Sequence, residues 1–505
     1  MSPRETTVSD SFTSVPTRAA VGVPDSSALA ATVAVFQRWL YLPDAGALYA
    51  VLGAVAANRL QGDPVWLLLV GPPGGGKSEL LTALGSLPEV HPAATLTEAS
   101  LLSGTSKRET TADSSGGVLR TLGDFGIIVA KDFGSILSMN RDARAAALAA
   151  LREVYDGSWT RHVGTDGGRT LHWSGKVGLV GGCTPTIDRH HAVMGAMGER
   201  FLLYRLPEVD PATQAREALK HAGREKIMRS ELADAVVSLM ADAGQQPRPL
   251  SATETDGLVS LATLVVRARS AVERDGYSRE IDLIPPPEAP TRLVVVLERL
   301  LAGLDAIGLA RELAWPVVQK AALDSVPALR LAALEYLAAQ ATADTNTIAT
   351  AVRYPAVTTR RALEDLTAHA LASCTPQPGK AHLWTLTDFA ATRLRRFPEK
   401  SSNTRNEIDK ENKTLHTATD ISWAACLPCG GRSGRPGFCW FEEVAARPAA
   451  DGRRPREARR EVRWPVGVRN RGGTRLQRRP EAATNASVRA VTGRARLPRP
   501  TPAPD

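Results

Sequence analysis

The sequence predicts an α/β fold: a parallel sheet with flanking helices, followed by a helical domain and a small C-terminal domain. Three observations carry this. Short continuous apolar runs at residues 65–70, 126–130 and 176–180 have the length and composition of buried strands. Helical patterns separate these runs, and parallel strands require such crossovers. The first run is punctuated by Gly62-Asp63-Pro64 before it and Gly71-Pro72-Pro73 after it.

The elements follow in order along the 505 residues, a length that allows two to four domains. Residues 1–27 are rich in Ser, Thr, Pro and Val without a period and read as a disordered leader. An α/β domain is expected over 28–210. It opens with two helices, marked by Val33, Phe36 and Leu40, then Leu48, Val51, Leu52 and Val55, separated at Pro43-Asp44. A further helix is expected over 142–155. Two β-rich runs, 159–163 and 169–173, flank Thr165-Asp166-Gly167-Gly168 and predict a hairpin. A helical domain spans 211–322, broken by Pro285-Pro286-Pro287. Three helical runs and a β-like segment at 382–386 make a domain over 323–398. Residues 399–505 lose all apolar period and read as a disordered Arg-rich tail.

The formal net charge of +9 sits in that tail. Residues 401–505 hold 19 Arg and 2 Lys against 11 acids, so the first 400 residues are close to neutral. No apolar stretch approaches the roughly 20 residues that cross a bilayer, so no membrane role is expected. The polar N-terminus lacks a secretory pattern, and five cysteines are too few for a disulfide framework. Both point to the cytoplasm.

The strongest chemical signal is Gly71-Pro72-Pro73-Gly74-Gly75-Gly76-Lys77-Ser78, which matches G-x-x-x-x-G-K-[ST] between an apolar strand and an amphipathic helix. Glycines let successive backbone N–H groups converge on phosphate oxygens. Lys77 supplies a point charge to the β and γ phosphates, and Ser78 a hydroxyl to Mg²⁺. The expected ligand is therefore ATP, or a closely related nucleoside triphosphate, with Mg²⁺. Hydrolysis also needs an acid at the end of a neighbouring strand. Asp132, after the run at 126–130, is the best candidate, to hold the magnesium side or to act as base. Lys131 stands where a second acid usually sits.

At this point the order of motifs over residues 45–305 resembles the AAA+ ATPases. More narrowly it is similar to the clade with a β-hairpin before the sensor-1 strand, which includes minichromosome-maintenance helicases and bacterial enhancer-binding activators. The resemblance implies that Thr184, after the third apolar run, is the polar sensor. In Gly198-Glu199-Arg200-Phe201-Leu202-Leu203-Tyr204-Arg205 it implies that Arg200, with Arg205 second, is an arginine finger reaching a neighbouring subunit, hence a hexamer-type ring. Arg292 would be the sensor-2 arginine at the nucleotide.

Residues 328–395 resemble a winged helix-turn-helix, with Thr345 or Asn346 capping its second helix. Its third helix would present Thr358, Thr359, Arg360 and Arg361 to DNA, with a wing turn at 377–380; the same fold also serves protein contacts. Arg161, His162 and Arg169 of the hairpin and Lys107 and Arg108 are further candidates for phosphate contacts. His416, Cys426, Cys429 and Cys439 have zinc-type chemistry without a visible scaffold. The Arg-rich tail either binds nucleic acid nonspecifically or has the composition of a GC-rich stretch read out of frame.

These features lead to an ATP-driven AAA+ protein acting on DNA, as a helicase, initiator or loader, possessed by a mobile element or phage. The alternative is a nucleotide-switched DNA-binding regulator with slow or no hydrolysis. A protein remodeller or defence ATPase is a third reading, without the short partner-binding loop motif of the enhancer-binding activators.

Overall fold

A computed structural model describes residues 27–105, 116–195, 200–244 and 248–396. The chain divides into two units, Met1–Ala418 and Thr419–Asp505, and all described residues lie in the first. The leader, Lys107, Arg108, the four candidate zinc ligands and the tail lie outside the described residues.

Five strands form one parallel sheet in the order β2-β3-β6-β1-β7. They are β1 (Trp66–Val70), β2 (Val90–Pro92), β3 (Phe125–Ala130), β6 (Lys176–Cys183) and β7 (Phe201–Arg205). The hairpin strands β4 (Ser158–Val163) and β5 (Arg169–Ser174) pair antiparallel between β3 and β6 in sequence, with Trp159 opposite Trp173. Strand β1 is buried along its whole length, as expected for a sheet covered on both faces. Leu67 and Leu69 enter one core with the helix Gly46–Arg59, whereas Trp66, Leu68 and Val70 enter the other with the helix Arg141–Tyr155.

The apolar runs mark three of the five strands. The edge strands β2 and β7 were not expected, because one has three residues and the other lies inside the finger segment. Strand β6 runs three residues past the expected end. Its Gly181 and Gly182 admit neighbouring backbone: a Cβ on Gly182 would stand 2.7 Å from the Lys131 carbonyl oxygen. Strand β3 is not adjacent to β1. Strand β6 lies between them, so Asp132 and residues 71–78 project from strand ends two places apart.

The helix Thr291–Ala306 packs along Gly46–Arg59, and its Arg299 donates to the carbonyls of Ala57 (3.1 Å) and Leu60 (3.0 Å). The helices approach so closely that a Cβ on Gly303 would meet the Gly53 carbonyl oxygen at 2.0 Å. Backbone cannot yield as a side-chain tip can. Gly303→Ala is therefore expected to destabilise the chain by about 1–3 kcal/mol, the range for overpacked cores. Urea denaturation of both proteins checks this.

Before this helix, β8 (Glu273–Arg274) and β9 (Ile281–Leu283) form a small hairpin, and after it the helix Arg311–Asp324 leads into residues 328–396. There, the helices Ala328–Gln340, Thr345–Val352 and Ala356–Ala368 accompany a three-stranded antiparallel sheet. Its order is β10 (Thr342–Asp344), β12 (Leu383–Leu386), β11 (Ala372–Thr375). The N-cap of Thr345–Val352 is Asp344, accepting from Asn346 N and Thr347 N, rather than Thr345 or Asn346. Thr345 instead accepts from the Trp384 indole at 2.9 Å. Among the described residues no helix is long and apolar enough to cross a membrane.

Candidate functional site

The C-terminal ends of the parallel strands converge on residues 71–78. The chain leaves β1 at Gly71, whose N–H donates to the Cys183 carbonyl at the end of β6 (3.2 Å). On the other flank, Leu206 N donates to the Val70 carbonyl (2.8 Å), and the Leu206 side chain packs against Gly71 and Gly75. Gly76 caps the following helix, Lys77–Thr82, in the left-handed region (φ 84°), a conformation that suits glycine. No side chain caps this helix, and first-turn amides have no intrahelical acceptor, so those of Lys77 and Ser78 are open to an anion.

Lys77 is buried, with 8% of its surface exposed. Its ammonium donates to the carbonyls of Gly71 (2.8 Å) and Pro72 (2.7 Å). Burial lowers its pKa, opposed by the nearby Cys183 and Asp132. Asp132 is exposed at the end of β3, within electrostatic reach of both Lys77 and Cys183. Burial pushes the Cys183 thiol up to about 11, so it stands neutral between ammonium and carboxylate. Sequence reasoning did not single out Cys183; its place at the end of the intervening strand is the signal that could have found it. Thr184 follows directly, its hydroxyl 2.5 Å from that of Thr186. The structure thus brings Lys77, Cys183, Thr184 and Asp132 to one edge of the sheet, with Ser78 exposed beside them.

Several expected site residues lie elsewhere. Arg200 precedes Phe201, which pairs with Trp66 at the opposite end of the sheet from Lys77. It is 5% exposed, held by both oxygens of Asp156 (2.9 and 2.7 Å) and by the Tyr155 ring (5.3 Å). To reach another subunit Arg200 would have to leave Asp156 and Tyr155. Arg205 is equally engaged, with its guanidinium on both oxygens of Asp188.

Arg292 also sits away from the phosphate loop. Tyr155 packs against Trp66, the first residue of β1, and its pKa is pushed up to about 12. Burial is the main cause, joined by the charge of Asp63 and opposed by those of Arg292 and Arg200. Arg299 and Gly303 of the same helix lie against Leu60 and Gly53, which sets Arg292, 3.7 Å from Glu288, towards the N-terminal end of the sheet.

In the hairpin, Arg161 binds Glu98 (2.8 Å) and the Leu102 carbonyl, and Arg169 donates to the Thr105 carbonyl (3.3 Å). Both tie the hairpin to residues 98–105 instead of projecting towards phosphates, while His162 is exposed. In the helix Ala356–Ala368, Thr359 is fully buried and its hydroxyl donates to the Pro355 carbonyl (3.2 Å), which removes it from a DNA surface. Thr358, Arg360 and Arg361 are exposed, with Arg360 bound to Glu364 (2.8 Å). Gly379 supports a turn closed by Lys380 N to the Gln377 carbonyl (3.1 Å), where a wing turn is expected.

No family model matches the sequence, and no curated protein matches it. Two solved structures are similar in part. The apo A-form structure of the C-terminal region of NrS-1 is 12% identical, over 46% of this chain and 54% of that one, with a TM-score of 0.19. The Hsp104–ADP complex of S. cerevisiae is 14% identical, over 76% of this chain and 57% of that one, with a TM-score of 0.22. The chain thus spans little more than half the length of either, and likeness at these scores adds nothing to the reading of the site. What stands is a mixed α/β protein with a five-stranded parallel sheet flanked by helices and a phosphate-loop sequence at the C-terminal edge of that sheet.

Proposed function

We propose that this chain binds Mg-ATP, or a closely related nucleoside triphosphate, at residues 71–78, hydrolyses it, and acts on DNA through its C-terminal domain, as an AAA+-type ATPase. The observation that supports this most is the buried Lys77 ammonium, held by two loop carbonyls beside uncapped helix amides, with an exposed carboxylate on the strand two places over. The donor set fits the ligand: open amides and an ammonium for phosphates, a hydroxyl and a carboxylate for magnesium.

Each residue then has a role. The amides of 74–78 bind phosphate oxygens, and Lys77 turns from Gly71 and Pro72 to the β and γ phosphates. Ser78 and Asp132 hold the magnesium side, or Asp132 accepts a proton from the attacking water. Thr184 offers a hydroxyl between them. Mg²⁺ held by Ser78 and Asp132 would supply charge neutralisation at the phosphoryl oxygens. Self-association into a hexamer-type ring is part of the proposal, with Arg200 as the finger once it is released from Asp156.

Thr358, Arg360 and Arg361, exposed on one helix, with Lys380 at the turn, suit bases and phosphates of DNA in a winged-helix arrangement. A nucleotide-switched regulator is favoured instead by one observation: Lys131, exposed, replaces the second acid after β3. ATP turnover of the full chain with and without single- and double-stranded DNA separates the two. DNA stimulation of about tenfold is expected for a motor. Turnover unaffected by DNA, with nucleotide-dependent DNA retention, would favour the regulator.

A further inference from the structure

Strand β7 is an edge of the sheet, and an edge leaves alternate amides without a partner strand. Here those of Leu203 and Arg205 are met by the Ser325 hydroxyl (3.0 Å) and the Asp324 carboxylate (2.6 Å), at the junction between the helical and C-terminal domains. The Arg205 guanidinium grips the same junction. It donates to both oxygens of Asp188 (3.0 and 2.8 Å), to the Asp324 carbonyl (3.1 Å) and to the Val326 carbonyl (3.2 Å). Asp188 in turn accepts from the N–H of Ala328, the first residue of the C-terminal domain's first helix (3.4 Å).

Arg205 is one residue from the phosphate loop's packing partner. Leu206 rests on Gly71 and Gly75, where Cβ atoms would stand 3.0 and 3.6 Å from its Cδ1. Asp188 follows Thr184 on the short helix after β6, and its charge reaches Cys183. Two strand ends that border the phosphate loop therefore hold one linker through a single guanidinium–carboxylate fork, a planar geometry that lysine cannot reproduce.

We propose that the Arg205–Asp188 pair is a latch that transmits nucleotide occupancy from the phosphate loop, through Leu206, to the start of the C-terminal domain. The latch rests on the Mg-ATP reading above. When residues 71–76 close around phosphates, Leu206 is pressed and the fork tightens on residues 324–328. The coupling is a free energy between two sites, and typical values correspond to a fivefold or larger effect.

Hydrogen exchange on the full chain tests it, beside calorimetric titration with Mg-ATP. In the wild type, Mg-ATP is expected to slow exchange at Val326 and residues 328–331 by about fivefold or more. Asp188→Asn and Arg205→Lys are expected to bind Mg-ATP within about twofold of wild type but to lose that response. Circular dichroism identifies either variant that does not fold, and the other then decides. Undiminished protection in the folded variants, or a wild type that binds Mg-ATP without protecting 326–331, would overturn the latch alone. A wild type that binds no Mg-ATP would overturn the nucleotide reading and the latch with it.

Discussion

Lys77→Ala is expected to lose Mg-ATP affinity by about 100-fold or more, equivalent to about 2.7 kcal/mol. The bonds of the ammonium to the Gly71 and Pro72 carbonyls hold it at the mouth of the amide cradle. Its burial makes the charge effective, because little water competes with a phosphate for it. The substitution should cost little stability. Burial already opposes the charged form, and of the two carbonyls the substitution leaves, that of Pro72 belongs to an exposed residue. Thermal melting should show a near wild-type transition while titration shows lost binding. An unfolded variant would make the affinity loss uninformative, and Lys77→Met, which preserves the stem, serves as its companion.

Asp132→Asn has the opposite signature. The amide keeps the shape and its neighbours, so Mg-ATP binding should change by no more than about tenfold, while turnover falls by about 100-fold to 1,000-fold. Two causes converge on this. An amide cannot take a proton from water, and it holds magnesium less well than a carboxylate. Lys131 cannot substitute for either task. Steady-state turnover at saturating Mg-ATP measures the effect. Turnover equal to wild type would remove Asp132 from the reaction and leave β3 a purely structural strand.

How much of this was legible depends on the range of the signal. The loop at 71–78 is a local pattern, and each of its residue types follows from what a phosphate cradle needs. Three strands were legible because a covered sheet demands unbroken apolar runs. Strand β7 was hidden because its residues suggested a finger segment, and β2 is too short to register. Arginine roles were the least legible. Arg200, Arg161 and Arg205 each bind carboxylates or carbonyls that only the fold brings near. Nothing in the chain order links Arg200 to Asp156 or Arg205 to Asp188. Thr359 is different, since it shares helical spacing with Ala362, Leu363 and Leu366, all buried. The period that buries it was present in the sequence, and a threonine among DNA-type residues masked it.

Calorimetric titration of the full chain with Mg-ATP tests the central claim most directly. One saturable site per chain, lost in Lys77→Ala and kept in Asp132→Asn, is the predicted result. A flat titration of the folded wild type, or equal affinity in wild type and Lys77→Ala, would contradict a phosphate cradle at residues 71–78.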